Sequence, residues 1–106
     1  MVVAVFRAHR TEIGLGEQDL TALKQMEDLA TKAPGYVSHK AYVAQDGERL
    51  TLFEWESIET LRAGAAHPEH VLTKALGRER FYEDYHLQVC EVLRESRFTR
   101  EAGTAP

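Results

Sequence analysis

Two histidines stand three residues apart in the stretch WESIETLRAGAAHPEH, which spans residues 55–70 and holds the chain's only tryptophan. On a helix, His67 and His70 would occupy neighbouring positions of one face, as two ligands of one metal ion do. Zinc needs a third protein ligand, and no spacing in the sequence brings another histidine or carboxylate to this pair. The sequence therefore predicts no metal here.

The stretch HPEH is also the expected sequence of a helix start. Pro68 suits the first helical turn, and Glu69 suits the positive end of the helix dipole. That end disfavours a cation, so we expect His70 to be a neutral imidazole near pH 7, the form that a general base needs. A structural role and a catalytic role for His70 are compatible, and both stay open.

Aromatic and cationic side chains elsewhere could complete a ligand site. Trp55 ends a predicted strand, where we expect its indole to be partly exposed and to line a pocket for a flat aromatic molecule. Arg78 could hold a carboxylate or phenolate by a bidentate contact, or could instead cap the preceding helix or pair with Glu83 or Asp84. The predicted catalytic residues are His70 and Tyr82, and the predicted substrate contacts are Trp55, His67, Arg78 and Tyr85.

Composition and charge exclude several classes of function. The 106 residues fit one small domain, with 17 acidic against 13 basic residues and a formal charge of −4. The basic residues are scattered, so they form no footprint for nucleic acid. No run approaches the ~20 apolar residues of a membrane span, and the first residues lack the layout of a signal peptide. We expect a cytoplasmic protein without a nucleic-acid or membrane partner.

The apolar periodicity predicts elements in the order β-α-β-β-α-β. Asp46-Gly47 is a strong hairpin signal, so the second and third strands should be antiparallel neighbours. Ser57 suits an N-cap, but Thr60 stands where a capping box prefers Glu or Gln, so we expect the box to be incomplete. This order is typical of an α+β, ferredoxin-like fold with a four-stranded antiparallel sheet. Strand-like runs occupy 2–10, 36–45, 49–56 and 85–94, helical runs occupy 20–33, 58–66 and 67–77, and 11–19 is a predicted turn.

Alternation along the strands predicts where side chains lie. Val37 and His39 should share one face of the second strand, and Tyr36 the other. Cys90, in the last strand, should be buried and inert. The strands carry apolar residues on both faces, which is unusual on a monomer, so we expect a homodimer. The domain should span 1–98, with a disordered tail over 99–106.

Several segments together resemble the antibiotic biosynthesis monooxygenase family: FEWES, HPEH, GRERFYEDY and QVCEVLR. The resemblance covers roughly Val2 to Phe98. It implies a ferredoxin-like chain that pairs into a dimeric α+β barrel. One branch of the family degrades haem with an asparagine, a tryptophan and an axial histidine. Aligned on WES, the tryptophan falls at Gly64 and the histidine at Lys74, and this chain contains no asparagine.

Another branch oxidises polycyclic phenols to quinones without metal or cofactor, and also relies on asparagine and tryptophan. The resemblance thus implies a cofactor-independent monooxygenase-like protein acting on a small aromatic or quinone-like molecule. Its pocket would lie between sheet and helices, and it would need no cofactor. Two alternatives stay open: a non-catalytic small-molecule binding or dimerisation module of the same fold, and a haem binder with a displaced histidine.

Overall fold

The computed structural model describes residues 1–11 and 16–100. The elements are β1 (Val2–Arg10), α1 (Glu17–Lys32), β2 (Tyr36–Val43), β3 (Arg49–Trp55), α2 (Ile58–Ala65), α3 (Pro68–Leu76), a π-helical turn (Gly77–Phe81) and β4 (Tyr82–Glu91). The sheet has the strand order β2-β3-β1-β4, and every neighbouring pair is antiparallel. The predicted ferredoxin-like order and four-stranded antiparallel sheet are confirmed. None of the helices in the described part of the chain is long and apolar enough to cross a membrane.

β1 is a central strand that pairs with a neighbour on each side. Val2 lies opposite Trp55 of β3 and Glu91 of β4. Side chains alternate along a strand, so Val2, Trp55 and the other even-numbered residues of β1 share one face. The Trp55 ring packs against Gly64 of α2, which identifies this as the helix-covered face. The opposite face is called the open face below.

Side chains at the helix starts explain where the helices begin. α1 begins at Glu17, three residues before the predicted Leu20, because the Asp19 carboxylate accepts a hydrogen bond from the Gly16 N–H at 3.2 Å. At α2, the Ser57 hydroxyl accepts from the Thr60 N–H and the Thr60 hydroxyl accepts from the Ser57 N–H. The box is therefore complete with threonine, and the prediction of an incomplete one was wrong. Residues 12–15 of the predicted turn lie outside the described residues.

A bulge near the start of β2 changes the predicted faces of that strand. Tyr36 lies opposite Trp55 and Ser38 opposite Glu54, so Val37 is an extra residue. The bulge brings Tyr36 onto the same face as His39, where the Tyr36 hydroxyl lies 2.6 Å from His39 Nδ1. The prediction of opposite faces was wrong, because strict alternation does not survive a bulge.

β4 begins three residues earlier than predicted and ends at Glu91. The π-helical turn before it is closed by a hydrogen bond from the Tyr82 N–H to the Gly77 carbonyl, and it leaves Phe81 fully buried, at 0% exposure. Cys90 is exposed, so the prediction that it is buried was wrong. The reason is its place opposite Val3 on the open face, on the side of the sheet away from α2.

The segment after β4 has no helix or strand in its described part, residues 92–100. Two large apolar side chains in it are strongly exposed, Leu93 at 90% and Phe98 at 82%. Residues 101–106 of the predicted tail lie outside the described residues, so both the disorder of that tail and the domain boundary at residue 98 stay predictions.

Two glycines with positive φ offer a matched test of a close contact. Gly35 has φ +83°, and a Cβ there would lie 2.4 Å from the Thr60 side chain, whereas Gly47 has φ +88° and nothing within 4 Å. Both Gly→Ala variants incur the left-handed backbone cost of about 1–2 kcal/mol. We expect Gly35→Ala to lower the free energy of unfolding by about 1–3 kcal/mol more than Gly47→Ala does, as measured by urea denaturation. Equal costs would contradict the contact.

Candidate functional site

Three aromatic rings meet on the helix-covered face and are called the tyrosine cluster: Phe6, Tyr82 and Tyr85. The Phe6 ring centroid lies 5.5 Å from that of Tyr82 and 5.6 Å from that of Tyr85. Arg78 Nε donates to the Tyr85 hydroxyl at 2.7 Å, and its guanidinium lies 5.9 Å from the centre of that ring. The predicted contacts Arg78 and Tyr85 are therefore brought together with the predicted catalytic Tyr82.

Gly77 allows Tyr82 to lie close against the π-helical turn. A Cβ at Gly77 would lie 3.1 Å from Tyr82 Cε2, so a larger residue would press on the ring. Burial is the main reason why the pKa of Tyr82 is raised, while the Arg10 charge acts in the lowering direction and Glu27 in the raising direction. Tyr82 is therefore a neutral phenol near pH 7, a hydrogen-bond donor rather than a base.

A second group of rings surrounds Trp55. Its indole stands edge-on to Tyr36 at 5.9 Å, and the His39 ring stacks on Phe53 at 5.3 Å. Trp55 is only 6% exposed, so the expectation of a partly exposed indole was wrong. The physical reason is Gly64: a Cβ at that position would lie 2.8 Å from the indole ring, and its absence lets α2 close over Trp55.

The two aromatic groups lie far apart. Trp55 is opposite Val2 and Tyr82 is opposite Arg10, and eight steps along a strand correspond to ~26 Å. The structure therefore does not bring Trp55 to Tyr82. α3 runs from one group toward the other, since α2 contacts Trp55 just before α3 begins and Gly77 contacts Tyr82 just after it ends.

The two predicted histidines lie at the start of α3. The N–H of the exposed His67 donates to the Gly64 carbonyl at 3.3 Å. His70 is half-buried, and its pKa is lowered, chiefly by burial and then by the charges of Lys74 and His67. The direction agrees with the predicted neutral imidazole, but burial rather than the helix dipole is the main cause. Within the described ranges, no three His, Cys, Asp or Glu side chains are grouped as metal ligands.

Arg10 is a residue at this site that sequence reasoning missed. It lies opposite Tyr82, and its Nε is buried without a hydrogen-bond partner. Burial lowers the pKa of its guanidinium, and the positive charge of Arg49 lowers it further. The sequence did carry a signal: Arg10 continues the series of even-numbered, inward-facing residues of β1, whose other members are all apolar.

A cleft of about 420 Å³ lies beside the first turn of α2, at the Trp55 end of the sheet. Val2 and Val89 contribute apolar surface to it, and three carboxylates border it: Glu56, Glu59 and Glu91. The Trp55 end of the helix-covered face is therefore acidic, whereas the Tyr82 end of that face carries Arg10, Arg49 and Arg78 together with Glu27, whose charge acts on Arg10. The carboxylates of Asp46 and Asp84 at that end interact with His9.

No family model matches the chain. It is 30% identical over 87 residues to YqjZ of Bacillus subtilis, an uncharacterized protein, and the match covers 82% of this chain and 73% of YqjZ. The chain belongs to the YqjZ family. This YqjZ-family chain is also similar to solved structures, which show the kind of fold that it has.

SnoaB from Streptomyces nogalater, a cofactor-independent oxygenase, superposes with a TM-score of 0.73 at 14% identity, over 89% of this chain and 94% of SnoaB. An antibiotic biosynthesis monooxygenase superposes with a TM-score of 0.73 at 12% identity, over 89% of this chain and 100% of the other. The YqjZ-family chain therefore has the antibiotic biosynthesis monooxygenase fold, and the resemblance seen in its sequence is confirmed at the level of the fold.

His9 of β1 interacts with two carboxylates, one from Asp84 of β4 and one from Asp46 in the turn between β2 and β3. His9 Nδ1 lies 3.0 Å from Asp84, and His9 Nε2 lies 3.5 Å from Asp46. The hydrogen bond to Asp84 is the main cause of the raised pKa of His9. The pKa of Asp84 is lowered chiefly by that same bond, and the pKa of Asp46 chiefly by the Glu48 N–H.

These shifts predict a pH window for stability. A raised histidine pKa stabilises the fold below its ordinary value of 6.5, and this contribution is lost as pH rises through the folded-state pKa. The lowered carboxylate pKa values stabilise above their ordinary 3.8, and that contribution is lost on acidification. We therefore expect His9→Gln to destabilise more at about pH 5.5 than at about pH 8.5 in urea unfolding. His86→Gln, at an exposed histidine of β4, is the control. An equal effect of His9→Gln at both pH values would contradict the interactions of His9 with Asp84 and Asp46.

Proposed function

We propose that this protein is a cofactor-independent monooxygenase-like enzyme that acts on a small aromatic or quinone-like molecule. The observation that carries the proposal is the tyrosine cluster on the helix-covered face, with Arg78 hydrogen-bonded to Tyr85. Aromatic faces bind flat rings, and a neutral phenol donates a hydrogen bond to a substrate oxygen. The fold shared with SnoaB is a further support.

In the proposed reaction the substrate phenol supplies the electrons. A base takes the phenol proton, and the phenolate passes one electron to O₂. The two radicals then combine, forming a carbon–oxygen bond to a ring carbon. That hydroperoxide loses one water molecule as its O–O bond breaks, leaving a quinone carbonyl. One phenol and one O₂ thus give one quinone and one water, so the protein needs only to move protons, orient the ring and exclude bulk water.

His70 is the base in this proposal, and Tyr82 is the donor to the substrate oxygen. His70 lies on α3 seven residues before Gly77, the first residue of the π-helical turn, which corresponds to ~10 Å along a helix. A substrate that meets both His70 and Tyr82 is therefore extended, as a fused polycyclic phenol is. Tyr82 takes the place of the asparagine that related oxygenases use and this chain lacks.

A non-catalytic binding module is the second candidate. The separation of His70 from Tyr82 along α3 favours it, because a base that does not reach the bound phenol leaves only a ring-binding surface. Haem binding is disfavoured by Gly64. A tryptophan at this position would collide with Trp55, whose ring already lies where a Cβ of residue 64 would contact it.

We expect O₂ uptake with polycyclic phenols, measured by an oxygen electrode across a panel of hydroxynaphthalenes and hydroxyanthracenes. His70→Gln should lower kcat/KM by about 100-fold or more, the usual loss of a general base. Tyr82→Phe should lower it by about 10-fold, the loss of one buried hydrogen bond. With wild type, kcat/KM should rise with pH through the lowered pKa of His70, so the midpoint of this rise should lie below the ordinary histidine value of 6.5.

His86→Gln, which changes an exposed histidine on β4, should keep the wild-type rate and pH profile. If no phenol in the panel supports O₂ uptake, the enzyme proposal fails and the binding module stands. An acid limb that persists in His70→Gln would assign the base to another group.

We also propose that the protein works in the cytoplasm as a homodimer whose second copy covers the open face. Val3 and Val5 give this face apolar surface, and Leu93 and Phe98 in the segment after β4 are strongly exposed. A two-fold partner would bury these groups together. The exposed lone thiol of Cys90 suits a reducing compartment.

Light scattering after gel filtration tests the dimer. Val5→Lys places a charge in the middle of the open face and should give a monomer mass, because burying an unpaired cation is costly. Val43→Lys is the control at an exposed position of β2, and should keep the wild-type mass. Circular dichroism checks that both variants fold. A wild-type monomer, or a dimer that tolerates Val5→Lys, would contradict this interface.

A further inference from the structure

Arg10 has one buried hydrogen-bond donor that is not used within the protein. Its Nε is buried without a partner, and none of the ion pairs between described residues involves it. Burying a polar donor without a partner costs free energy, and burying one on a cation costs more. A buried cationic donor that gains a hydrogen-bond partner only when a ligand binds is typical of a ligand-binding residue.

A bulge in β4 determines what faces Arg10. His9 lies opposite Asp84 and Arg10 opposite Tyr82, so Glu83 is the extra residue between them. Without the bulge, Arg10 would lie opposite Glu83, and a carboxylate would neutralise it. The bulge instead places the Tyr82 ring beside the guanidinium, which leaves the positive charge without a neighbouring anion on this strand.

The surroundings of Arg10 concentrate positive charge around a small apolar floor. Ala8, at 1% exposure, lies opposite Arg49 in β3 and Tyr85 in β4. The charge of Arg49 acts on Arg10, and the opposing carboxylate that reaches it from α1 is Glu27. The guanidiniums of Arg10 and Arg49 repel each other and attract an anion at this small apolar surface, although the whole chain has a formal charge of −4.

The free Nε identifies the kind of anion. An arginine binds a carboxylate through two parallel N–H···O bonds, and its Nε–H with one Nη–H forms one such edge. In Arg10 the Nε–H of that edge is buried and has no hydrogen-bond partner. Tyr82 lies opposite Arg10 on the neighbouring strand, and its ring centroid is 5.5 Å from that of Phe6, so a carboxylate attached to an aromatic ring fits both features.

We propose that Arg10, assisted by Arg49, binds the carboxylate of an aromatic acid whose ring lies against the tyrosine cluster. This inference deepens the proposed function by naming a substrate class, and it rests on the same cluster being a ring-binding surface. In this proposal Arg10 selects for acidic ligands and determines that the carboxylate end of the ligand lies at Arg10.

The test compares 2-naphthoate with 2-naphthamide, which has the same ring system and a neutral group of similar shape. Binding is followed by the fluorescence of the naphthalene ring near pH 7. Wild type should bind naphthoate about 10- to 100-fold more tightly than naphthamide, the range for a charged bidentate contact. Arg10→Gln should bring this ratio close to one while leaving naphthamide binding unchanged, and Arg10→Lys should be intermediate because it lacks the fork.

Arg62→Gln, at an exposed arginine of α2, should keep the wild-type ratio. Arg49→Gln, at an exposed residue, should weaken naphthoate binding several-fold and gives a second readout should Arg10→Gln fold poorly. In urea unfolding, Arg10→Gln should be at least as stable as wild type, because it removes a buried unpaired cation. Equal binding of acid and amide by wild type, no binding of naphthoate, or an unchanged ratio in Arg10→Gln would overturn the proposal.

The two proposals fail separately. An Arg10-dependent preference for naphthoate without O₂ uptake on any hydroxynaphthoate would retain the carboxylate site and remove the monooxygenase. O₂ uptake with neutral phenols, with no effect of Arg10→Gln on the ratio of naphthoate to naphthamide binding, would retain the monooxygenase and remove the carboxylate site.

Discussion

The pairing of β1 with β3 on one side and β4 on the other determines which side chains share the helix-covered face. In this register Val2, Ala4 and Ala8 are buried. A slip of one residue would turn all three outward and bring Val3 and Val5 under the helices. Because side chains alternate strictly along β1, the same register that builds the core also carries a charged residue, Arg10, to the inner face at the end of the strand.

Small residues then decide where aromatic rings are accommodated. Gly64 lies against Trp55, and Gly77 lies against Tyr82. In the sequence each glycine looks like a weak point or a stop in a helix, since glycine is a poor helix former. In the fold each one makes room for a ring. The packing of the two ring groups at opposite ends of the sheet therefore depends on the absence of a Cβ at Gly64 and at Gly77.

The sequence is most informative where structure is local. The hairpin at Asp46-Gly47 and the extent of β1 follow from turn chemistry and apolar runs, and both are confirmed. The bulges at Val37 and Glu83 could not be predicted, because a bulge is defined by the register of a neighbouring strand. The burial of Trp55 depends on the approach of α2, which no strand pattern contains.

The candidate site shows the same division between local and tertiary signals. A neutral His70 was predicted in the right direction, although its main cause is burial. Arg10 was missed because its significance is tertiary: its Nε is buried only in the folded protein, and a tyrosine lies opposite it only through the bulge in β4. The one signal in the sequence is a charged residue at the last inward-facing position of a strand whose other inward-facing residues are apolar.

Charge is distributed unevenly along the helix-covered face, and this restricts how a ligand can lie there. The three glutamates of the cleft at the start of α2 stand at one end, where the positive end of the helix dipole favours carboxylates. Arginines stand at the other end, beside the tyrosine cluster. A ligand with one acidic group is attracted to the arginine end and repelled from the glutamate end. Its ring then extends from Arg10 across Tyr82 toward α3, which is the direction in which His70 lies two helical turns from Gly77.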